Sequence, residues 1–196
     1  MSVVLVDAGG TNIGSVRYAL QRLGVDAALT ADAAAIRTAD KVILPGVGAA
    51  GPGMARLREL DLVELLRSLR QPVLGVCLGM QLLCAHSEES DTECLGLIPA
   101  RVRRFAESSG RRVPHMGWNR LIAQREHRLL AGLGDDEQGY FVHSYAVPTG
   151  AWTLASSDYG EPFSAVVARD NYYGMQFHPE RSAAVGARLL QNFLDL

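Results

Sequence analysis

Pro72-Val73-Leu74-Gly75-Val76-Cys77-Leu78-Gly79-Met80-Gln81 decides how the rest of the chain is read. The apolar run Pro72–Val76 predicts a buried strand, and the residues from Leu78 to His86 predict a helix directly after it. Cys77 stands at the junction with glycines two residues before and two after, the layout of a nucleophile elbow with cysteine in the place of serine. Such a turn strains the backbone of its central residue, so its neighbours must be small. It also lifts the side chain out of the sheet and places it at a helix N-terminus, where thiolate is favoured over thiol. Two readings stand at this point: a reactive thiol, or a core cysteine of the kind proteins often bury.

Upstream of the elbow, strand and helix patterns alternate. Val3–Val6 reads as a strand ending at Asp7, and Val16, Ala19, Leu20 and Leu23 repeat at helical spacing up to Gly24. Val25–Leu29 suits a second strand, Ala31–Thr38 a short helical link, Lys41–Leu44 a third strand and Met54–Leu69 a long helix. This alternation predicts an α/β fold with a mainly parallel sheet covered on both faces. In such sheets ligands bind beyond the carboxyl ends of the strands, where the loops after Asp7, Leu44 and Val76 converge. After Glu89 the pattern turns antiparallel. A hairpin is expected over Val102–Phe105, Ser108–Gly110 and Arg112–Val113, with strands at Tyr140–Tyr145, Trp152–Ala155, Ala165–Arg169 and Tyr172–Gln176. A final helix over Ser182–Leu194 has Ser182 as its expected N-cap. No repeat or linker divides the sequence, so residues 1–196 are expected to form one domain.

The 196 residues suffice for a substantial core, and 48% hydrophobic and 20% charged residues are globular values. A formal net charge of −2 argues against a nucleic-acid binder or a membrane-surface protein. Three cysteines, Cys77, Cys84 and Cys94, follow neither a metal-ligand nor a disulfide spacing, which points to a reducing, cytoplasmic setting and to no metal. The N-terminal residues lack the basic and apolar regions of a signal peptide, and no apolar run reaches membrane-spanning length. The glycine loops at Gly9–Gly14 and Gly46–Gly53 match no phosphate-binding pattern, so no nucleotide cofactor is expected.

A cysteine nucleophile needs a base, and the base needs a group to orient it. Of five histidines, His86 and His127 lie in polar, helix-like surroundings that suit a solvated face. His178 instead ends a strand pattern and is followed by Pro179-Glu180. In extended backbone, residues two apart point to the same side, so Glu180 can reach the His178 ring and set its tautomer. A chance neighbour pair at a strand end is the competing reading. The Leu78 N–H is one natural oxyanion donor, and the loop Gly46–Gly48 is a source for a second.

Together, Gly75-Val76-Cys77-Leu78-Gly79-Met80-Gln81, Phe177-His178-Pro179-Glu180 and Pro45-Gly46-Val47-Gly48 resemble the class I (triad) glutamine amidotransferase family. The stretches Val113–Asn119, Tyr140–Tyr145 and Asp7–Leu20 narrow the resemblance to one branch, the glutaminase subunits of imidazole glycerol phosphate synthase, over essentially the whole chain. The resemblance implies a flavodoxin-like three-layer sandwich with a mixed, mainly parallel central sheet. It implies Cys77 as nucleophile, His178 as general acid/base, Glu180 as its orienter, and Val47, Gly48 and Leu78 around the oxyanion. Gly46, Gln81, Glu89, Ser144 and Tyr145 fall at positions that hold glutamine. A TIM-barrel cyclase is the implied partner and receives the ammonia, with Thr11, Asn12, Trp118, Asn119 and Arg181 on the docking face. No cofactor is implied. The chain departs from the family pattern near Ala8–Gly10, at Thr11, at Cys84 and at Arg181, where lysine is usual; these positions bear on partner contact and leave the triad untouched.

Overall fold

The computed structural model describes residues 1–9, 13–107 and 111–196. In chain order the first half runs β1 (Val3–Val6), α1 (Ile13–Arg22), β2 (Ala28–Thr30), α2 (Ala33–Thr38), β3 (Lys41–Gly46), α3 (Ala50–Glu59), α4 (Val63–Ser68), β4 (Val73–Cys77) and α5 (Leu78–Leu82). The second half continues with strands β5 (Cys84–Ser87), β6 (Thr92–Glu93), β7 (Ile98–Arg104), β8 (His115–Arg120), β9 (Ile122–Ala123) and β10 (Gln138–His143). It ends with β11 (Tyr145–Ala146), β12 (Thr153–Asp158), β13 (Pro162–Arg169), β14 (Tyr172–Met175) and α6 (Ala183–Leu194).

The central sheet has the order β2-β1-β3-β4-β14-β13-β12-β9. Its first five strands are parallel and the last three pairings are antiparallel, so the expected mixed, mainly parallel α/β sheet is present. The central parallel strands are apolar on both sides: β1 and β4 are buried at every position. One face packs on α1 and α6 through Val16, Leu20, Leu189 and Phe193. The other packs on α2, α3 and α4 through Ile36, Met54, Leu57 and Leu66. A small sheet, β11-β7-β5-β6, and the ribbon β10-β8 complete the described architecture. No described helix is long and apolar enough to cross a membrane.

Several sequence expectations change. The expected helix over Met54–Leu69 is two helices, because Asp61 takes a left-handed φ of 54° between them. The helix expected over Leu78–His86 ends at Leu82, and Cys84–Ser87 enters the small sheet instead. The second strand begins at Ala28 rather than Val25. Among the described residues β7 takes β5 and β11 as partners rather than Arg112–Val113, while the expected hairpin turn at Ser108–Gly110 lies outside the described residues. Ser182 precedes α6 without capping it through its side chain. These differences share a cause. Short-range periodicity cannot see the tertiary partner that claims a segment's backbone hydrogen bonds.

Candidate active site

The register of the parallel strands brings three chain segments to one place. Gly46 at the end of β3 pairs with Cys77 at the end of β4, and Met175 at the end of β14 pairs with Val76. Running on past β14, the chain reaches His178 within three residues, beside the carboxyl end of β4. The loop Gly46–Gly48, Cys77 and His178 therefore meet through strand order alone.

Cys77 is the elbow that the sequence predicts, with φ 53° and ψ −110°. The flanking glycines are required by contact: a Cβ on Gly79 would collide with the Leu44 carbonyl oxygen, and one on Gly75 would lie 2.6 Å from the Gly79 carbonyl. Gly46 serves the same packing, since its Cβ would meet the Gly79 nitrogen at 2.7 Å. It lines the adjoining clefts beside Val47 rather than the cavity onto which Cys77 opens. The helix that follows the elbow, α5, is short, with five residues from Leu78 to Leu82.

His178 Nδ1 lies 3.0 Å from Glu180 Oε1, and the ring also hydrogen-bonds Cys77. Both side chains are secluded, at 10% and 2% exposure. The pair forms across a tight 3-10 turn over Pro179–Arg181 rather than the extended segment expected from sequence; Pro179 starts that turn. Burial disfavours the His178 imidazolium, but its bonds to Cys77 and Glu180 and their charges outweigh this and raise the pKa to about 10. Ser182 fixes the backbone here: its hydroxyl donates to the His178 carbonyl at 2.7 Å and accepts from the Tyr140 N–H at 2.9 Å.

Cys77 opens into a cavity of about 330 Å³ lined among others by Val47, Gly48, Leu78, Gln81, Glu89 and His178. Ser144 and Tyr145 are also in its wall, and so are Pro114, Val142 and His143, which sequence reasoning did not single out. Gly48 takes a φ of 98° in the wall, a conformation that glycine adopts without strain. The Glu89 carboxylate accepts the Ala50 N–H at 2.7 Å, so it sits on the first turn of α3 where the helix dipole favours an anion. Gln81 donates to the Tyr145 carbonyl and to Gln176 Oε1, both at 2.9 Å. Gln176, also missed, is fully buried and directs its amide nitrogen at Cys77 Sγ from 3.8 Å. Its only sequence signal is a polar residue inside an apolar strand end.

The other expectations fall as follows. Trp118 and Arg181 are exposed, and Met116 beside them is 63% exposed. Asn119 turns inward and donates to the Asp158 carbonyl. Thr11 and Asn12 lie outside the described residues. His86 is on strand β5, not a helix, and pairs with Asp91, while His127 accepts the Leu129 N–H at the start of a 3-10 turn. Cys84 and Cys94 are buried thiols whose pKa values burial pushes up, far up for Cys84 and to about 11 for Cys94. Among the described residues no group of three or more His, Cys, Asp or Glu side chains is placed to hold a metal ion.

A cysteine on a strained strand-to-helix turn, with a His–Glu pair just past the end of the adjacent strand, is the arrangement that cysteine-dependent hydrolysis on an α/β sheet requires. The chain belongs to the class-I glutamine amidotransferase family, which it matches over residues 4–196. It is 59% identical over 194 residues to the imidazole glycerol phosphate synthase subunit HisH of Xanthomonas euvesicatoria, covering 99% of this chain and 97% of that protein. The protein of the same name from Xylella fastidiosa strain Temecula1 is 55% identical over the same shares. Among solved structures, a glutamine amidotransferase superposes with a TM-score of 0.77 at 23% identity, covering 100% of this chain and 98% of that one. The PurLQS structure from Thermotoga maritima gives 0.71 at 18% identity, over 99% and 97%. These two likenesses concern the fold.

Proposed function

We propose that this chain, acting as one domain over residues 1–196, is the glutamine-hydrolysing subunit of an imidazole glycerol phosphate synthase in histidine biosynthesis. The observation that carries the chemistry is the Cys77–His178–Glu180 array opening into a cavity of about 330 Å³. In this reading Cys77 Sγ attacks the side-chain amide carbon of L-glutamine while its proton resides on His178. The negative oxygen of the tetrahedral intermediate faces the N–H groups of Leu78 and of the Val47–Gly48 loop. Collapse breaks the C–N bond, His178 protonates the departing nitrogen, and ammonia leaves a γ-glutamyl thioester. Water, deprotonated by His178, then adds to the thioester carbon; the C–S bond breaks and glutamate departs. Glu89 suits the substrate α-ammonium group as a buried-edge carboxylate, and the Ser144–Tyr145 backbone suits the α-carboxylate.

The relatives' name as a synthase subunit supports a partner chain. We infer a TIM-barrel cyclase that uses the ammonia, docked on the face that carries Trp118 and Arg181, in the cytoplasm. The test uses the assembled synthase. Cys77→Ala is expected to remove glutamine-dependent product formation, a loss of at least about 10⁴-fold, while ammonia-dependent formation persists. Retained glutamine-dependent turnover in that variant would refute the assignment.

A further inference from the structure

The buried histidines His115 and His143 are absent from the chemistry above, yet their hydrogen bonds leave only one arrangement of protons. His143 Nδ1 lies 2.7 Å from the Tyr145 carbonyl oxygen, which can only accept, so Nδ1 carries the hydrogen. Burial drives the His143 pKa down to about 3; His115 and His178 disfavour its charge further, against the opposing Tyr145 bond. In the neutral ring Nε2 is therefore an acceptor. It sits 3.1 Å from His115 Nδ1, which must donate. His115 is also neutral, lowered to about 4 by burial, so its Nε2 accepts from Asn119 Nδ2 at 3.3 Å. The second Asn119 amide hydrogen goes to the Asp158 carbonyl at 2.8 Å. Aromatic rings enclose the pair: His115 is stacked between Phe141 and Tyr159, and Phe105 and Phe163 stand against His143.

At the Tyr145 carbonyl this relay meets another. Gln81 donates one amide hydrogen to that same oxygen and the other to Gln176 Oε1, and Gln176 in turn donates toward Cys77 Sγ. Every bond from Asn119 to the sulfur thus has a defined direction. Asn119 lies on β8 beside the exposed Trp118, while Tyr145 and His143 line the cavity.

We propose that His115 and His143 are positioning residues. Held as neutral Nδ1–H tautomers, they fix the Ser144–Tyr145 edge where glutamine lies and, through Gln81 and Gln176, the setting of Cys77. They also tie that setting to the strand that carries Trp118. The inference rests on the glutaminase reading for its kinetic arm alone; the tautomer arm is independent of it.

Two measurements test it. Long-range ¹H–¹⁵N spectra of the chain at pH 7 are expected to show both rings neutral with hydrogen on Nδ1, the minor tautomer of free histidine. A charged ring or an Nε2–H tautomer at either position overturns the proposal. The kinetic arm compares His143→Asn, whose amide can replace the Nδ1 donor, with His143→Gln, whose amide reaches only the Nε2 position. In the assembled synthase the first is expected to keep the glutamine KM within about threefold and the second to raise it about tenfold or more, with ammonia-dependent turnover unchanged in both. Equal KM values in the two variants overturn the proposal. Should either variant fail to fold, Asn119→Ala takes its place: His115 is expected to keep its hydrogen on Nδ1, bonded to His143, while its Nε2 signal moves downfield toward that of an unbonded acceptor; an unmoved Nε2 signal overturns the relay. A wild-type synthase that shows the tautomers but hydrolyses no glutamine would refute the glutaminase reading and leave the relay standing.

Discussion

His178 and His143 line the same cavity and are pushed to opposite protonation states. His178 sits at the end of the parallel half of the sheet, between a thiol and a carboxylate, and its pKa rises to about 10. His143 ends a strand of the β10-β8 ribbon among aromatic rings, with a carbonyl and a neutral imidazole as partners, and its pKa falls to about 3. Both are buried, so burial alone does not separate them. What separates them is whether the partners are anionic groups that favour the imidazolium or neutral ones that each accept or donate a single hydrogen. One ring is held toward its protonated form; the other is held neutral.

Removing the anionic partner breaks this contrast most strongly. Glu180→Gln is expected to lower kcat for glutamine by about 10²–10⁴-fold, since the ring loses both its orienting bond and its charge partner. The same variant should bring the His178 pKa down from about 10 toward the ordinary 6.5, read directly by NMR titration. Wild-type stability should respond accordingly. A raised pKa contributes stability that is complete below about pH 6.5 and fades as pH climbs toward 10, so the variant should show a flatter stability profile over that window.

Loosening the backbone beneath His178 has a smaller effect. Ser182→Ala strands the Tyr140 N–H and removes a bond to the His178 carbonyl, at an expected cost of about 1–3 kcal/mol in urea unfolding. A cost below about 0.5 kcal/mol would show that this clasp adds nothing to the fold.

The acid side of the profile tests the neutral pair. For His115 and His143 the folded pKa lies below 6.5, so their contribution is present above about pH 6.5 and is lost as pH falls toward 4 and then 3. The unfolded chain takes up their protons first. Each ring should therefore steepen the loss of stability with acid by up to about 1.4 kcal/mol per pH unit in that window. His143→Asn should reduce this slope by one ring's share, measured by urea unfolding at a series of pH values. An unchanged slope would mean that His143 is not held neutral.

Much of this site was legible in the residues. The elbow showed because its constraints are local: a strand pattern, a polar turn residue and glycines where neighbouring backbone leaves no room for a methyl. His178-Pro179-Glu180 showed because proline stiffens a short segment, although the segment proved to be a 3-10 turn rather than extended chain. Gln176 did not show, and His143 showed only as one member of the stretch Tyr140–Tyr145, because what gives each its place lies far off in the chain. Their partners are 99 and 28 residues away, for Cys77 and His115 respectively, and only folding brings them within reach. The break at Asp61 and the early end of α5 were hidden for the same reason.

By itself, then, the sequence determined the alternating α/β frame, the strained cysteine and its histidine–glutamate pair, all products of short-range sterics and periodicity. Only the tertiary structure decided the rest. Parallel register set β3, β4 and β14 side by side with their carboxyl ends level, and the ribbon β10-β8 carried its own histidines into the wall of the cavity. A ring's protonation state depends on which groups face it across a few ångströms, and those neighbours are chosen by strand order, not by position along the chain.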